Sequence, residues 1–171
     1  QRIPEVLTKY LQTCEMMAGL RVRRIEDGKE RHAYFARVVT EAKARTYEAS
    51  VHNLQSTYDT HIQNTVLESR DERLPRLRGH VSAAVHLLQA VTHLAHFIER
   101  HETDIRSEEA KRKIAELVDR SEVERIALNV FLYWGERFLR SGVTMAEAML
   151  PEYTETLELT LELPEHLALH A

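Results

Sequence analysis

The hydrophobic pattern is helical for most of the chain and then changes period. Leu7, Tyr10, Leu11, Cys14, Met17 and Ala18 recur at three- and four-residue spacing. That spacing puts them on one face of a helix from about Ile3 to Ile25. Pro4 suits its first turn, where a missing N–H costs nothing, and Glu26-Asp27-Gly28 marks its end. A second helix is predicted from about Lys29 to Ser69, a stretch free of Gly and Pro. At 1.5 Å per residue it would run about 60 Å. Tyr47, Val51, Leu54, Tyr58, Ile62 and Val66 form its apolar stripe. Asp71 to Pro75 reads as a turn into a third helix, about Pro75 to Glu102. Leu77, Val81, Ala84, Val85, Leu88, Val91, Ala95 and Ile98 make its core face. Leu87 and Leu94 widen that face, so this helix is expected to be the most buried.

Capping signals divide the stretch after the third helix. Ser107 to about Arg120 is a shorter helix with Ile114, Leu117 and Val118 apolar. Ser121 with Glu124 matches a capping box, and so does Thr144 with Glu147. Between them, Val123 to Arg140 is predicted helical, with Ile126, Ala127, Val130, Phe131, Trp134 and Phe138 turned inward and Gly142 as the C′ glycine. Met145 to Leu150 is a short helical turn ended by Pro151. Helices joined by such short connections make a bundle. The expected fold is all-α: an antiparallel helical bundle in which the second and third helices form a long helical hairpin. The unequal helix lengths leave part of the second helix overhanging, and a homodimer that covers it is expected.

From Thr156 the period becomes two. Leu157, Leu159, Leu161 and Leu163 alternate with Thr156, Glu158, Thr160 and Glu162, the pattern of a half-buried β-strand. One strand after a run of helices has no ladder partner, so this is an orphan C-terminal strand. The chain thus divides into a helical-bundle domain at 1–150, a linker at 151–155, and a separate unit beginning at 156–171.

Pro164-Glu165-His166 is turn-like, and Leu167-Ala168-Leu169-His170-Ala171 comes next. Strand, turn and Leu-His-Ala in that order resemble the opening of the histidine-containing phosphocarrier (HPr) of the sugar phosphotransferase system. That family begins with one strand and then Gly-Leu-His-Ala-Arg-Pro, leading into a helix. Ala168 stands where the family usually has Gly. The resemblance implies that Arg-Pro and the rest of a carrier domain come after it. It also implies that His170 is the phosphoryl acceptor, its phosphate settling at a helix N-terminus.

Composition narrows the remaining choices. Charged residues are 29% and hydrophobic ones 43%, enough apolar content for a sizeable core. The net charge of -4 gives no basic field for nucleic acid. No apolar run approaches the roughly 20 residues that insert across a bilayer. A single cysteine, Cys14, excludes an internal disulfide and fits a cytoplasmic protein. Only five glycines occur, none clustered into a phosphate loop.

Ten histidines are many for this length. His86, His93 and His96 share or border one face of the third helix, a spacing that suits a divalent transition metal. Repeated Glu-x-x-His pairs, the mark of a carboxylate-bridged centre, do not occur. Arg21-Val22-Arg23-Arg24 is a short basic run, read either as the complement of a helix dipole or as an anion or docking site. The leading expectation is a helical regulatory or docking module, not an enzyme, joined to an HPr-like phosphocarrier and partnered by phosphotransferase-system proteins. The alternative is a self-contained metal-binding helical bundle using the third-helix histidines.

Overall fold

Helix α1 spans Ile3–Ala18, with Pro4 in its first turn and Val6, Leu7, Tyr10, Cys14 and Met17 buried. It stops well short of Ile25. Gly19 and Leu20 close the last turn through hydrogen bonds to Glu15 O and Met17 O, and Arg21 then takes a left-handed conformation at φ 53°. Beyond it the chain runs to Asp27 without helix, burying Val22 and Ile25. The computed structural model describes residues 2–103 and 107–155, and every regular element among them is helical. The predicted strand at 156–163 and the carrier-like residues through His170 lie outside the described residues.

The single long second helix is not formed. Three helices replace it: α2 (Gly28–Val38), α3 (Glu41–His61) and α4 (Val66–Arg70). Each begins at a side-chain cap. Asp27 accepts from Glu30 N, Thr40 from Lys43 N and Thr65 from Glu68 N. An N-cap needs an extended backbone at that residue, so a well-placed Thr ends one helix and starts the next without Gly or Pro. Gly28, read as a terminator, therefore opens α2. Asn64 adds a left-handed turn at φ 64° before α4. The overhanging rod was the ground for expecting a homodimer, and that ground disappears.

Helix α5 (Arg73–Thr103) has the predicted core face, with Leu77, Val81, Ala84, Val85, Leu88, Val91, Ala95 and Ile98 all buried. Between Arg73 and Arg100 it is long and apolar enough to cross a bilayer by length and composition, but its apolar face is used in the core. Helix α3 lies along it. Asp59 accepts from Arg78 at 2.7 and 3.0 Å near one end. Near the other, Glu41 meets His96 Nδ1 at 2.7 Å, and the Glu41 amide donates to Glu99 at 2.9 Å.

The rest is α6 (Glu108–Leu117), α7 (Arg120–Arg125), a π-helical segment (Ile126–Leu132), α8 (Tyr133–Arg140) and α9 (residues 143–155). The first predicted capping box is not the one used. Asp119 caps α7, accepting from the amides of Ser121 and Glu122. Ser121 Oγ instead accepts from Arg31 at 2.9 Å, and Glu124 takes His32 and Arg120. Helix α9 starts at residue 143, so Thr144 sits inside its first turn, and helix continues through Pro151 to residue 155. The expected linker at 151–155 is therefore helical.

Asp71 fastens α9 to the start of α5. It accepts from Arg73 Nε and Nη2 at 2.9 and 2.8 Å, from the Arg73 amide at 3.0 Å and from the Tyr153 hydroxyl at 2.7 Å. These bonds, the Arg73 fork first, hold its carboxyl down to about 2, below its ordinary 3.8. A lowered carboxylate stabilises the fold in full above its ordinary value and loses that contribution as pH falls towards the folded one. The unfolding midpoint in urea should therefore drop between about pH 4 and pH 2. Asp71→Asn should be less stable at neutral pH and flatter over that window. An equal slope in both proteins would show that Asp71 is not the group responsible.

Candidate docking ridge and basic cleft

The run Ile126-Ala127-Leu128-Asn129-Val130-Phe131-Leu132 has one polar member, Asn129, and it is buried. Its amide closes both backbone groups of Ile25. Oδ1 accepts from Ile25 N at 3.0 Å, and Nδ2 donates to Ile25 O at 3.1 Å. Leu128, Asn129 and Leu132 all point inward, and the wider π turn accommodates them. A π turn holds more residues than an α turn, so every later side chain is rotated relative to an uninterrupted α-helix. Gly135, Glu136 and Leu139 become the buried face of α8. Val130, Trp134 and Phe138, expected inside, are 37%, 42% and 43% exposed. They form a ridge, with the Trp134 and Phe138 rings 5.9 Å apart.

The rotation also places a carboxylate in the core. Glu136 is 1% exposed and is held by Arg137 and Arg140. Arg137 also donates to Val22 O at 3.1 Å and lies over Tyr133. Behind this group, the Tyr10 hydroxyl donates to Leu139 O, and Cys14 Sγ lies 3.7 Å from the same oxygen. Burial pushes the Cys14 thiol up to about 12. It stays protonated at neutral pH and is a core residue, not a nucleophile.

The extended segment after α1 serves both sides of the molecule. Its backbone is pinned by Asn129, by Arg137, and by Arg31, which donates to Ile25 O and Glu26 O at 3.1 and 3.3 Å. Its arginines then diverge. Arg24 stacks over Tyr133 and Trp134, 4.1 and 5.4 Å from the ring centres, and reaches Asn129 O at 3.3 Å. Arg21 and Arg23 point the other way, into a cleft of about 570 Å³ shared with Tyr34, Arg37, Lys43 and Tyr47. The helix-dipole reading of this basic run does not hold, because α1 ends before it and carries no basic residue in its last turn.

The structure does not assemble the histidines. His86 and His93 are exposed on α5, and His96 is taken by Glu41. His80 Nδ1 bonds Phe138 O at 2.9 Å and lies 3.0 Å from Ser141 Oγ. Among the described residues, no three His, Cys, Asp or Glu side chains gather as a metal site. His170, the candidate phosphoryl acceptor, lies outside the described residues.

Sequence reasoning missed the Asn129 clasp, the inward Glu136 and the outward ridge. One signal was available: Asn129 interrupts an apolar run, and an amide there must find buried partners. No family model, curated protein or solved structure matches this chain.

Proposed function

We propose that this chain is a cytoplasmic docking or regulatory module of a phosphocarrier protein, and that its partner is the phosphoryl-donating enzyme of the sugar phosphotransferase system. The observation that carries the docking half is the ridge. Trp134 and Phe138 are large, more than two-fifths exposed, and turned to solvent by the π-helical segment beneath them. Aromatic side chains of this kind are the usual anchors of protein interfaces. Arg24, stacked on Tyr133 and Trp134, fixes the ring positions and adds a cation at the ridge. π turns recur at functional sites because they re-aim side chains at some cost in regularity.

The phosphocarrier half rests on the tail, where the alternating Leu157–Leu163 stretch and Leu169-His170-Ala171 resemble the start of HPr. In this reading His170 accepts the phosphoryl group once the rest of the carrier fold is present, and the bundle helps recruit the donor. We read the bundle as antiparallel, with α3 and α5 as its hairpin. The pairs Glu41–His96 and Asp59–Arg78 support that arrangement.

Surface plasmon resonance of the intact parent protein against the donor enzyme tests the proposal. Binding is expected to weaken at least about tenfold in Trp134→Ala, the size expected for a lost aromatic anchor. Arg112→Gln, a remote change on α6, should leave it unaltered. No binding by the parent, or equal binding by Trp134→Ala, would reject the proposal. Self-association that Trp134→Ala abolishes would reassign the ridge to a second copy of the chain.

A further inference from the structure

The cleft between the end of α1, helix α2 and the start of α3 is a separate feature from the ridge. Four cations reach it: Arg21 and Arg23 from the extended segment, Arg37 from the last turn of α2, and Lys43 from the first turn of α3. No carboxylate among the described residues lines it. Glu30 pairs with Arg23 at 3.0 Å, but that pair is exposed, with the two side chains 50% and 57% accessible. Exposed pairs of this kind are weak and easily exchanged. Glu136, the buried carboxylate of α8, does not line the cleft and is held by Arg137 and Arg140.

The walls are aromatic. Arg23 and Arg37 each lie 5.6 Å from the centre of the Tyr34 ring. Both tyrosine hydroxyls are already used, Tyr34 on Leu20 O at 2.8 Å and Tyr47 on Val38 O at 2.6 Å. The tyrosines therefore offer ring surface to a ligand rather than donors. The Lys43 ammonium donates to Arg37 O at 2.5 Å and retains two further N–H donors.

A volume of about 570 Å³ exceeds what a bare oxyanion fills and falls within the range of small-molecule sites, about 300–1,000 Å³. Guanidinium forks match phosphate oxygens two at a time, and a Lys adds a point charge. We propose that this cleft binds a small organic phosphate, with its phosphate between Arg21, Arg37 and Lys43 and its carbon body against Tyr34 and Tyr47. The inference stands apart from the phosphocarrier reading, since it uses none of the ridge residues and none of the tail.

Isothermal titration calorimetry of the whole chain tests it, with three phosphate monoesters as probes: glucose 6-phosphate, phosphoenolpyruvate and adenosine monophosphate. At least one is expected to bind saturably, more tightly than inorganic phosphate, with an affinity that falls as salt rises. The double variant Arg21→Gln/Arg37→Gln should weaken that binding by about tenfold or more. The remote double variant Arg70→Gln/Arg112→Gln removes the same charge and should change it less than about twofold. Circular dichroism melting of both variants checks that they fold. The proposal is overturned if no probe binds saturably up to about 10 mM. It is equally overturned if the two double variants weaken binding alike, which would mean that net charge alone attracts the anions.

Discussion

Replacing Arg137 and Arg140 together by Ala is expected to destabilise the protein by roughly 3–5 kcal/mol. Glu136 is 1% exposed, and these two arginines are its ion-pair partners. Without them a carboxylate remains in the core with no ion-pair partner among the described residues, and that desolvation cost dominates any Coulomb term. The reverse deletion should be milder. In Glu136→Leu the two guanidinium groups, 27% and 50% accessible, can turn towards water. The triple variant Glu136→Leu/Arg137→Ala/Arg140→Ala should therefore recover part of the loss, since replacing a whole buried ion cluster with apolar atoms is often neutral. Urea unfolding of the three proteins measures this. A loss below about 1 kcal/mol in the double variant, the value of a surface pair, would mean that Glu136 is solvated after all.

Gly142→Ala is expected to cost about 1–3 kcal/mol, as overpacking does in a filled core. A glycine in an ordinary backbone conformation usually tolerates Ala and can gain stability from it, and no glycine among the described residues has positive φ. The reason lies in the space instead. A Cβ at residue 142 would run into the Tyr10 hydroxyl oxygen and would meet Leu77 Cδ1 at 3.2 Å. Tyr10 cannot swing away, because it is fully buried and donates to Leu139 O. Tyr10→Phe removes the obstructing oxygen along with its hydrogen bond, at a cost of about 0.5–1.5 kcal/mol. The double variant should then be more stable than the sum of the singles predicts, a coupling that a double-mutant cycle reads directly. Strict additivity would show that Gly142 is not placed there for Tyr10.

Much of the fold was legible because apolar spacing reports burial. The core face of α5 was read from Leu77 to Ile98 residue by residue, and the helical character of the described residues followed from that period and the scarcity of Gly and Pro. Boundaries were less legible. Thr40 and Thr65 act as N-caps inside a stretch that carries no conventional breaker. A cap is a tertiary choice as much as a local one, since any Thr in such a run could play the part. Val39 and Ile62, beside these breaks, are both buried.

The candidate site was least legible where the helical period itself changes. A fixed α period assigns Val130, Trp134 and Phe138 to the core and Glu136 to solvent. One π-helical stretch reverses both assignments. The basic run at Arg21 was visible as charge, but its meaning depended on where α1 ended. With Gly19 closing the helix, Arg21 and Arg23 enter the cleft while Arg24 crosses to Trp134.

Both the exposed ridge and the buried Glu136 depend on the outward register of α8. Trp134 is the only tryptophan in the chain, so its fluorescence reports that register without any substitution. Acrylamide quenching of the native protein is the direct measurement. The structure predicts red-shifted emission and efficient quenching, reduced when the partner occupies the ridge. Blue-shifted emission that acrylamide cannot quench in the free protein would place Trp134 in the core and refute the outward register of α8.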